Sequence, residues 1–376
     1  MLFKKLIERN VPAIVVRALI FCYEEQVAWV KWGNTNSEEF SVTNGTRQGA
    51  VMSPPLFSVY LDDLFKLLRK LGVGCHIAGL WMGATGYADD MLLLAPTRSA
   101  MQAMLLVCEK YALDHNISFS VDVNPQKSKT KCLYICGNMT NRKYPAPLKL
   151  NGRDLPFVLS CIHLGHELAQ DGTMATDAKI RRARYIDKSI DIRDMFRFAH
   201  PAQVIGALEK YCDDHYGLML WDLFDDYAGK YFRCWNTAIK LSWDCPRATH
   251  TYFVTHLLGC GIPSIREKIL TRYVKFFKSL LKSKSPEVAL VANLVRNDRS
   301  SVTGANLEKI SQETGIMSLT ATTCQIMEAL APPEPPQNEM WRFPLLEKYL
   351  YQRSEMVTEG VDTKEIDSLI DALCAT

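Results

Sequence analysis

Two adjacent carboxylates, Asp89 and Asp90, follow Tyr87-Ala88 where one apolar stretch ends and another begins. An acid pair is costly to bury, because uncompensated like charges disfavour ionisation. At the tip of a β-hairpin, however, both side chains can face solvent and chelate a hard cation. Mg²⁺ prefers oxygen ligands and keeps substrate phosphates among them, and two such ions about 3.5–4 Å apart stabilise the attacking and leaving oxygens of phosphoryl transfer. The segment therefore suggests metal-assisted phosphoryl transfer.

The dipeptide alone does not specify this chemistry. Three further Asp-Asp pairs occur in the chain, and each stands in a helical pattern where a solvated face accounts for it. A simple acidic turn is thus the alternative interpretation at 89–90, and the choice depends on the surrounding sequence. The three other pairs are Asp62-Asp63, Asp213-Asp214 and Asp225-Asp226.

A second segment with ligand-binding chemistry is the loop at 44–49, which reads Asn-Gly-Thr-Arg-Gln-Gly. Its two glycines permit a close approach of the backbone to a flat or charged ligand. Arg47 offers a fork of donors for phosphate, and Gln48 offers a neutral hydrogen-bonding arm. Ser53 is predicted as the N-cap and Pro54 as the first residue of a helix, whose N-terminus favours anions. An ordinary glycine-rich turn before a helix is the alternative.

Hydrophobic periodicity indicates the elements that position these segments. Helices are predicted at 1–9, at 12–23, from Ser53 to the glycines at 72 and 74, and at 99–116. A β-hairpin is predicted around residues 33–37, strands at 76–82, 91–95, 118–123 and 131–136, and a turn at 83–86. Beyond residue 140, strands at 148–150 and 162–164 precede helices at 176–198, 221–241, 265–281 and 364–374. The fold class predicted is α+β.

Composition narrows the function classes. The chain has 376 residues and a net charge of +3, and no run of 18 apolar residues suggests a membrane span. Twelve scattered cysteines without any Cys-x-x-Cys predict free thiols and an intracellular protein, nuclear or cytoplasmic. Residues 300–376 carry 5 basic and 12 acidic side chains, a net −7, which leaves +10 on residues 1–299. A basic body permits a polyanionic partner.

The loop at 44–57, followed by Tyr87-Ala88-Asp89-Asp90, resembles the palm of reverse transcriptases from non-LTR (LINE-type) retrotransposons. The resemblance implies that Asp89 and Asp90 bind Mg²⁺ (or Mn²⁺) and are catalytic, and that Arg47, Gln48 and Gly49 face nucleotide and template. Residues 124–128 resemble the next motif of the family, which places Lys127 near the nucleotide phosphates. Residues 163–168 resemble the family's primer-side turn.

The same resemblance implies an architecture: a partial right-hand polymerase palm, an antiparallel sheet with helices, followed by a mostly helical thumb and connector. Partial fingers and palm are expected at 1–140, a thumb-like region at 141–200, a basic helical connector at 201–299, and an acidic tail at 300–376 with a Pro-rich linker at 331–336. The expected partners are an RNA template and a DNA primer, with no membrane. Four basic residues on the thumb helix are expected to contact nucleic acid: Arg181, Arg182, Arg184 and Lys188.

One departure from the family pattern concerns its first catalytic aspartate, which lies on a strand before the helix that residues 2–12 resemble. The chain opens at Met1, so we expect an N-terminally truncated polymerase, inactive alone, whose incomplete palm a protein partner could cover. A non-catalytic nucleic-acid-binding or protein-interaction remnant is the alternative. A zinc site of Cys245, His250, His256 and Cys260 is a weaker hypothesis, because these spacings do not match the usual zinc patterns.

Overall fold

The structure is a computed structural model that describes residues 1–42, 45, 49–122, 124, 126–135, 144–245, 262–316, 319–331 and 342–374. It divides the chain into two compact units, Met1–Leu164 and Gly165–Thr376. Helices dominate, and short two-stranded sheets occur among the described residues. The predicted α+β fold class is confirmed at this level.

The first unit alternates helices with short strands. Its helices are α1 (Leu2–Glu8), α2 (Ala13–Glu24), α3 (Ser53–Lys70) and α4 (Arg98–Asp114). Its strands are β1 (Val27–Ala28), β2 (Lys31–Trp32), β3 (Thr35–Asn36), β4 (Phe40–Ser41), β5 (His76–Ile77), β6 (Leu80–Trp81), β7 (Ala84–Tyr87), β8 (Asp90–Leu93), β9 (Cys132–Leu133), β10 (Lys149–Leu150), β11 (Arg153–Asp154), β12 (Phe157–Val158) and β13 (Ser160–His163).

The strands of this unit pair mainly with their sequence neighbours. Pairing is antiparallel in β1–β4, β2–β3, β5–β6, β7–β8 and β10–β11, and parallel in β9–β12. The longest of these ladders joins β7 to β8, with Ala84 opposite Leu93 and Tyr87 opposite Asp90. This hairpin carries the predicted acidic site.

Three sequence-based predictions about this unit were wrong in detail. The glycine-containing segment 83–86, predicted as a turn, largely forms β7, because the missing side chain of Gly86 leaves room for the ring of Phe65. The described residues of 118–123, predicted as a strand, form none. The Thr130 N–H donates to the Ser120 carbonyl at 3.0 Å, but no ladder of backbone hydrogen bonds continues from this one in the described residues. Ser53 is the first residue of α3 rather than its N-cap, a position that Met52 occupies.

The core of the first unit lies mainly between α3, α4 and the β7–β8 hairpin. Buried leucines at helical spacing on α3 face Met104, Cys108 and Tyr111 of α4, and residues of both hairpin strands pack against them. A neighbouring cluster joins α4 to β10, and a third joins α1 and α2 to the start of α3. The apolar period of 3.6 residues thus presents one stripe of each helix to a shared interior.

A buried cation ties α1 to α3 and α4. The Lys5 ammonium, which is buried, donates to the Asp63 carboxylate at 2.5 Å and to the Tyr111 hydroxyl at 3.0 Å. The Tyr111 hydroxyl in turn donates to the Tyr60 carbonyl at 2.5 Å. An uncompensated buried ammonium is costly, so these partners fix the position of α1.

The hydrogen bonds between Lys5, Asp63 and Tyr111 change the pKa values of Lys5 and Asp63. The hydrogen bond from Lys5 lowers the pKa of Asp63. Burial alone lowers the pKa of Lys5, but the hydrogen bonds to Asp63 and Tyr111 outweigh that effect and raise it overall. Because the pKa of Asp63 is lowered in the fold, its carboxylate stabilises the fold above the unfolded pKa of about 3.9, and this stabilisation is lost as pH falls. Because the pKa of Lys5 is raised in the fold, its ammonium stabilises the fold below about pH 10.4, and this stabilisation is lost as pH rises.

The second unit is mainly helical. It opens with strand β14 (His166–Ala169), and the short 3-10 turn Leu218–Leu220 follows its first two helices. The helices are α5 (Ala175–Met195), α6 (Pro201–Cys212), α7 (Asp226–Phe232), α8 (Cys234–Ser242), α9 (Ile265–Leu281), α10 (Pro286–Arg296), α11 (Val302–Thr314), α12 (Thr323–Leu330), α13 (Arg342–Glu359) and α14 (Lys364–Cys374).

One hydrophobic cluster runs through this second unit. Trp221, Trp235 and Trp243 are buried in it. The cluster also takes in apolar residues of the acidic tail, such as Ile310 and Ile370. The tail therefore packs its apolar residues into the unit despite its net negative charge. No helix of the described ranges is both long enough and apolar enough to cross a bilayer.

We predict unequal losses of stability on removing either partner of the Lys5–Asp63 pair. Asp63→Ala should lower the free energy of unfolding by about 2–4 kcal/mol, because it leaves Lys5 buried with its charge uncompensated. Lys5→Met should cost less than about 1.5 kcal/mol, since Asp63 is partly exposed and keeps Lys66 at 3.3 Å. Urea unfolding at pH 7 measures both losses.

At pH 3, below the ordinary pKa of an aspartate, the difference between the original chain and Asp63→Ala should shrink. Equal losses for the two variants at pH 7, or a difference that persists unchanged at pH 3, would contradict the assignment of Asp63 as the counterion of Lys5.

Candidate active site

Asp89 and Asp90 lie at the tip of the β7–β8 hairpin. Tyr87 pairs with Asp90, so Ala88 and Asp89 form a two-residue connection. Ala88 has φ +52°, which suits the twist of such tight hairpins but costs an alanine about 1 kcal/mol. Both aspartates are exposed to solvent. The strands thus carry the acid pair beyond the packed part of the hairpin.

The hairpin is held on α3 by close packing. A Cβ atom built on Gly86 would lie 2.5 Å from Cζ of Phe65, a distance that requires the ring to move. Ala84, Met91 and Leu93 pack against the cluster between α3 and α4. At the open end of the hairpin, the Leu94 N–H donates to the Gly83 carbonyl at 2.7 Å. The position of the acidic tip therefore follows from the contact of β7 with α3.

The four Asp-Asp pairs of the sequence differ in their partners. Within the described ranges, neither Asp89 nor Asp90 forms an ion pair or a side-chain hydrogen bond. Every aspartate of the other three pairs is engaged. Asp62 pairs with Arg9 (2.6 Å) and Lys66 (2.7 Å), Asp63 with Lys5 (2.5 Å), Asp213 with Lys268 (2.5 Å) and Asp226 with Lys230 (2.5 Å), while Asp214 accepts from the Tyr216 N–H (3.2 Å) and Asp225 from the Ala228 N–H (2.6 Å).

These engaged pairs support a structural role. The pKa of Asp62 is lowered by its hydrogen bond with Lys66 and further by Arg9. For Asp213, burial raises the pKa, but His215 and Lys268 outweigh burial and hold the pKa below its ordinary value. Each of these pairs thus has at least one aspartate paired with a cation of the fold. At the hairpin tip both carboxylates face solvent, where a cation from outside can bind them.

The donor set at the tip fits a hard divalent cation. Mg²⁺ is commonly held by one or two carboxylates, with water and substrate phosphates as its remaining ligands. Asp89 and Asp90 provide two such carboxylates facing solvent. No cluster of three or more His, Cys, Asp or Glu side chains suited to a metal occurs in the described part of the chain. The tip therefore fits an open site that substrate completes, rather than a closed protein cage.

The glycine-rich loop is described only in part. Arg47 and Gln48 lie outside the described residues. Gly45 and Gly49 are exposed and have φ values of +92° and +80°, which favour glycine. The Ser53 N–H donates to the Ala50 carbonyl at 3.1 Å, so a turn leads from the loop into α3.

Lys127 lies on a tight turn. The side-chain oxygen of Asn124 accepts from the Gln126 N–H at 2.9 Å, and the backbone carbonyl of Asn124 accepts from the Lys127 N–H at 3.0 Å. Ser128, which is buried, donates to the Thr130 carbonyl at 2.6 Å. Asparagine and serine therefore fix the backbone, while the Lys127 side chain remains exposed.

The four basic residues of α5 that were predicted to contact nucleic acid divide into two groups. Arg181 donates to Asp177 and to the Gly165 carbonyl, both at 2.9 Å, and its side chain is 12% exposed. Arg182, Arg184 and Lys188 are exposed. Arg184 and Lys188 are four residues apart, so they share one face of the helix.

Sequence reasoning missed Asp177, which organises the start of the second unit. Its buried carboxylate accepts from Arg181, from the Trp221 indole N–H at 2.9 Å and from the Glu167 N–H at 3.3 Å. The spacing of four residues between Asp177 and Arg181 was the available signal. Of the proposed zinc ligands, Cys245 is described, while His250, His256 and Cys260 lie outside the described residues.

Comparison with known proteins shows which family the first part of the chain is similar to. Residues 1–167 match the family described as "Reverse transcriptase (RNA-dependent DNA polymerase)". A segment of 100 residues, 27% of the chain, is 30% identical to the retrovirus-related Pol polyprotein of the type-2 retrotransposable element R2DM of Drosophila melanogaster. A segment of 151 residues, 40% of the chain, is 26% identical to the putative 115 kDa protein of the type-1 element R1DM of the same organism. The matches span 9% and 14% of these two relatives.

A third relative is the retrovirus-related Pol polyprotein of the type-1 element R2 of Nasonia vitripennis, 26% identical over 129 residues, which are 34% of the chain and 12% of that relative. Residues 1–167 thus match a reverse transcriptase domain, and the matched region contains the acidic hairpin, the glycine-rich loop and the Lys127 turn. Its relatives are proteins of R1 and R2 elements, so the resemblance to non-LTR retrotransposon reverse transcriptases is confirmed.

Two substitutions in the hairpin should have opposite effects on the stability of the first unit. Gly86→Ala should lower the free energy of unfolding by about 1–3 kcal/mol, because its methyl group overlaps the Phe65 ring. Ala88→Gly should raise it by about 0.5–1 kcal/mol, because glycine adopts the positive φ without strain. Chemical denaturation of both variants measures the difference. A stabilising Gly86→Ala would show that β7 does not lie against α3 in this way.

Proposed function

We propose that the reverse transcriptase domain supports RNA-templated DNA synthesis, with Asp89 and Asp90 as its metal-binding carboxylates. The observation that carries this proposal is the acidic tip, where two exposed aspartates have no ion-pair partner in the described ranges. The other Asp-Asp pairs are already compensated or act as helix caps. A carboxylate pair kept available on a rigid hairpin is the arrangement that an external cation requires.

The proposed reaction is nucleotidyl transfer. The 3′-hydroxyl oxygen of a DNA primer loses its proton and forms a bond to the α-phosphorus of a nucleotide paired with an RNA template. The bond from that phosphorus to the bridging oxygen breaks, and pyrophosphate leaves with the electron pair. Mg²⁺, when bound, stabilises negative charge on the attacking and leaving oxygens. Asp89 and Asp90 would hold the cation at a fixed place, and positioning with charge stabilisation supplies most of such catalysis.

Other residues contribute by binding and orienting the substrates. We assign Arg47, Gln48 and Gly49 to contacts with nucleotide and template, supported by the family match that includes this loop. Lys127 is assigned to the nucleotide phosphates, supported by its exposed position on a turn whose backbone is fixed. Neutralisation of phosphate charge by a lysine favours nucleotide binding without requiring a fixed geometry.

We propose the same division of the chain into regions that the family resemblance implies. Residues 1–140 would form partial fingers and palm, 141–200 a thumb-like region, 201–299 a basic helical connector, and 300–376 an acidic tail. Support comes from the α+β character of the first unit and from the long basic helix α5 at the start of the second.

We predict that Asp89→Asn and Asp90→Asn each lower primer extension on an RNA template at least about 100-fold, because each removes a charge that holds the cation. The matched control is Asp226→Asn, which changes another Asp-Asp pair at an exposed helical position. Extension by the full chain with Mg²⁺ and with Mn²⁺ is the measurement, and where the chain alone extends no primer, the metal affinity of the same variants tests the same roles. Full activity in either hairpin variant would overturn the proposed roles.

Mn²⁺ binding followed by electron paramagnetic resonance gives a readout that does not depend on activity. Affinity should fall at least about tenfold in Asp89→Asn and Asp90→Asn and stay unchanged in Asp226→Asn. Equal Mn²⁺ affinity in all three variants would show that the tip holds no metal.

A second candidate function is nucleic-acid binding without catalysis. It is favoured by exposed cations of α5, since Arg182, Arg184 and Lys188 extend from a single 21-residue helix. This function requires no metal. It predicts binding of RNA or an RNA–DNA duplex by a chain that extends no primer.

We predict that Arg184→Ala combined with Lys188→Ala weakens binding to an RNA–DNA duplex and reduces its dependence on salt. Each lost phosphate contact should lower the slope of log affinity against log salt by about one. Lys230→Ala is the control, because Lys230 is already paired with Asp226. Fluorescence anisotropy at several salt concentrations measures the slopes. An unchanged slope in the double variant would exclude α5 as the binding face.

A further inference from the structure

The hairpin that follows α2 is exposed along its length. Every residue from 29 to 41 is exposed, although the segment is rich in large apolar side chains. Trp32 is 86% exposed, Trp29 51% and Phe40 50%, and Val27 and Val30 are also exposed. Single exposed apolar residues are common, but a contiguous set of this kind marks an interaction site. We call residues 27–42 the aromatic hairpin.

The backbone of the aromatic hairpin offers open edges. Val27 pairs with Ser41 and Ala28 with Phe40 in one ladder, and Lys31 pairs with Asn36 in the next. Both ladders have only two strands within the described residues. An isolated two-stranded hairpin is at best marginally stable in water, and its outer edges present backbone donors and acceptors that can pair with an added strand.

The charge of the aromatic hairpin narrows the choice of partner. Four glutamates flank its strands, Glu24 and Glu25 before β1 and Glu38 and Glu39 before β4, against one basic residue, Lys31. Residues 24–42 therefore have a net charge of −3, whereas residues 1–299 together have +10. All four glutamates are exposed, and none forms an ion pair in the described ranges. This local negative charge disfavours a nucleic-acid phosphate backbone and favours a basic segment.

We propose that the aromatic hairpin is a docking site for a protein partner that adds an extended, basic segment to its edge. Successive side chains of a strand point to opposite faces, so such a segment would alternate apolar and basic residues. The apolar side chains would cover Trp29, Trp32 and Phe40, and the basic ones would pair with the glutamates. The added strand would supply the backbone pairing that two short ladders lack. The proposal is independent of the catalytic role assigned to Asp89 and Asp90.

The test uses the full chain with a 12-residue peptide of alternating valine and lysine as the probe. A peptide of alternating valine and glutamate is the matched control, and a 12-nucleotide uridine RNA tests the competing ligand class. Hydrogen–deuterium exchange should show that the valine–lysine peptide protects backbone amides within 27–42. Its affinity should exceed that of the valine–glutamate peptide at least about tenfold, because charge complementarity at partly desolvated sites is worth about that factor.

Two variants separate charge from apolar contact. Glu38→Lys combined with Glu39→Lys should invert the preference between the peptides. Trp32→Ser should weaken binding of the valine–lysine peptide at least about tenfold, because aromatic anchors dominate such interfaces. Both changes lie at exposed positions, so circular dichroism of the variants should match that of the original chain.

Several results would overturn the proposal. Equal affinity for the two peptides would remove the role of charge, and protection confined to other parts of the chain would remove the hairpin from the interface. Protection of residues 27–42 by the uridine RNA, but by neither peptide, would reassign the hairpin to nucleic-acid binding.

Discussion

The contact between Gly86 and the ring of Phe65 is the constraint on which the candidate site depends. It lets β7 approach α3 more closely than any strand residue with a side chain would allow. The remaining inward residues of the hairpin then enter the core between α3 and α4. Because a hairpin continues in the direction that its packed part sets, the two aspartates after Ala88 extend into solvent at a defined place. A rigid position is what a metal-assisted reaction needs from its carboxylates.

The four Asp-Asp pairs of the chain differ in how their charge is compensated. In the pairs at 62–63, 213–214 and 225–226 at least one aspartate is paired with a nearby cation, and the buried Lys5 is paired with Asp63. Buried or partly buried charges without such partners would be destabilising. Of these four pairs, the one at the acidic hairpin tip has no ion-pair partner within the described residues, and it tolerates this because water solvates both exposed carboxylates. The contrast among four identical dipeptides gives the tip its functional interpretation.

The two units carry different signals of function. The first holds the acidic hairpin and the Lys127 turn and matches the reverse transcriptase family almost throughout. The second presents cations on α5, while Asp177, Arg181 and Trp221 anchor the start of that helix. Its acidic C-terminal region joins the same hydrophobic cluster as α5 to α9. The C-terminal region is net negative, yet it packs against the preceding helices because burial of its apolar residues is favourable.

The sequence by itself determined the α+β character, the helices at Ile265–Leu281 and Lys364–Cys374, and the reverse transcriptase resemblance, because periodicity and motif order are local properties. It also separated the acid pair at 89–90 from the others by context. Only the tertiary structure decided that residues 84–86 belong to a strand and that Lys5 is buried beside Asp63. Those outcomes depend on partners far away in sequence, such as Phe65 for Gly86 and Tyr111 for Lys5. A local pattern contains no information about the side chain that will cover it.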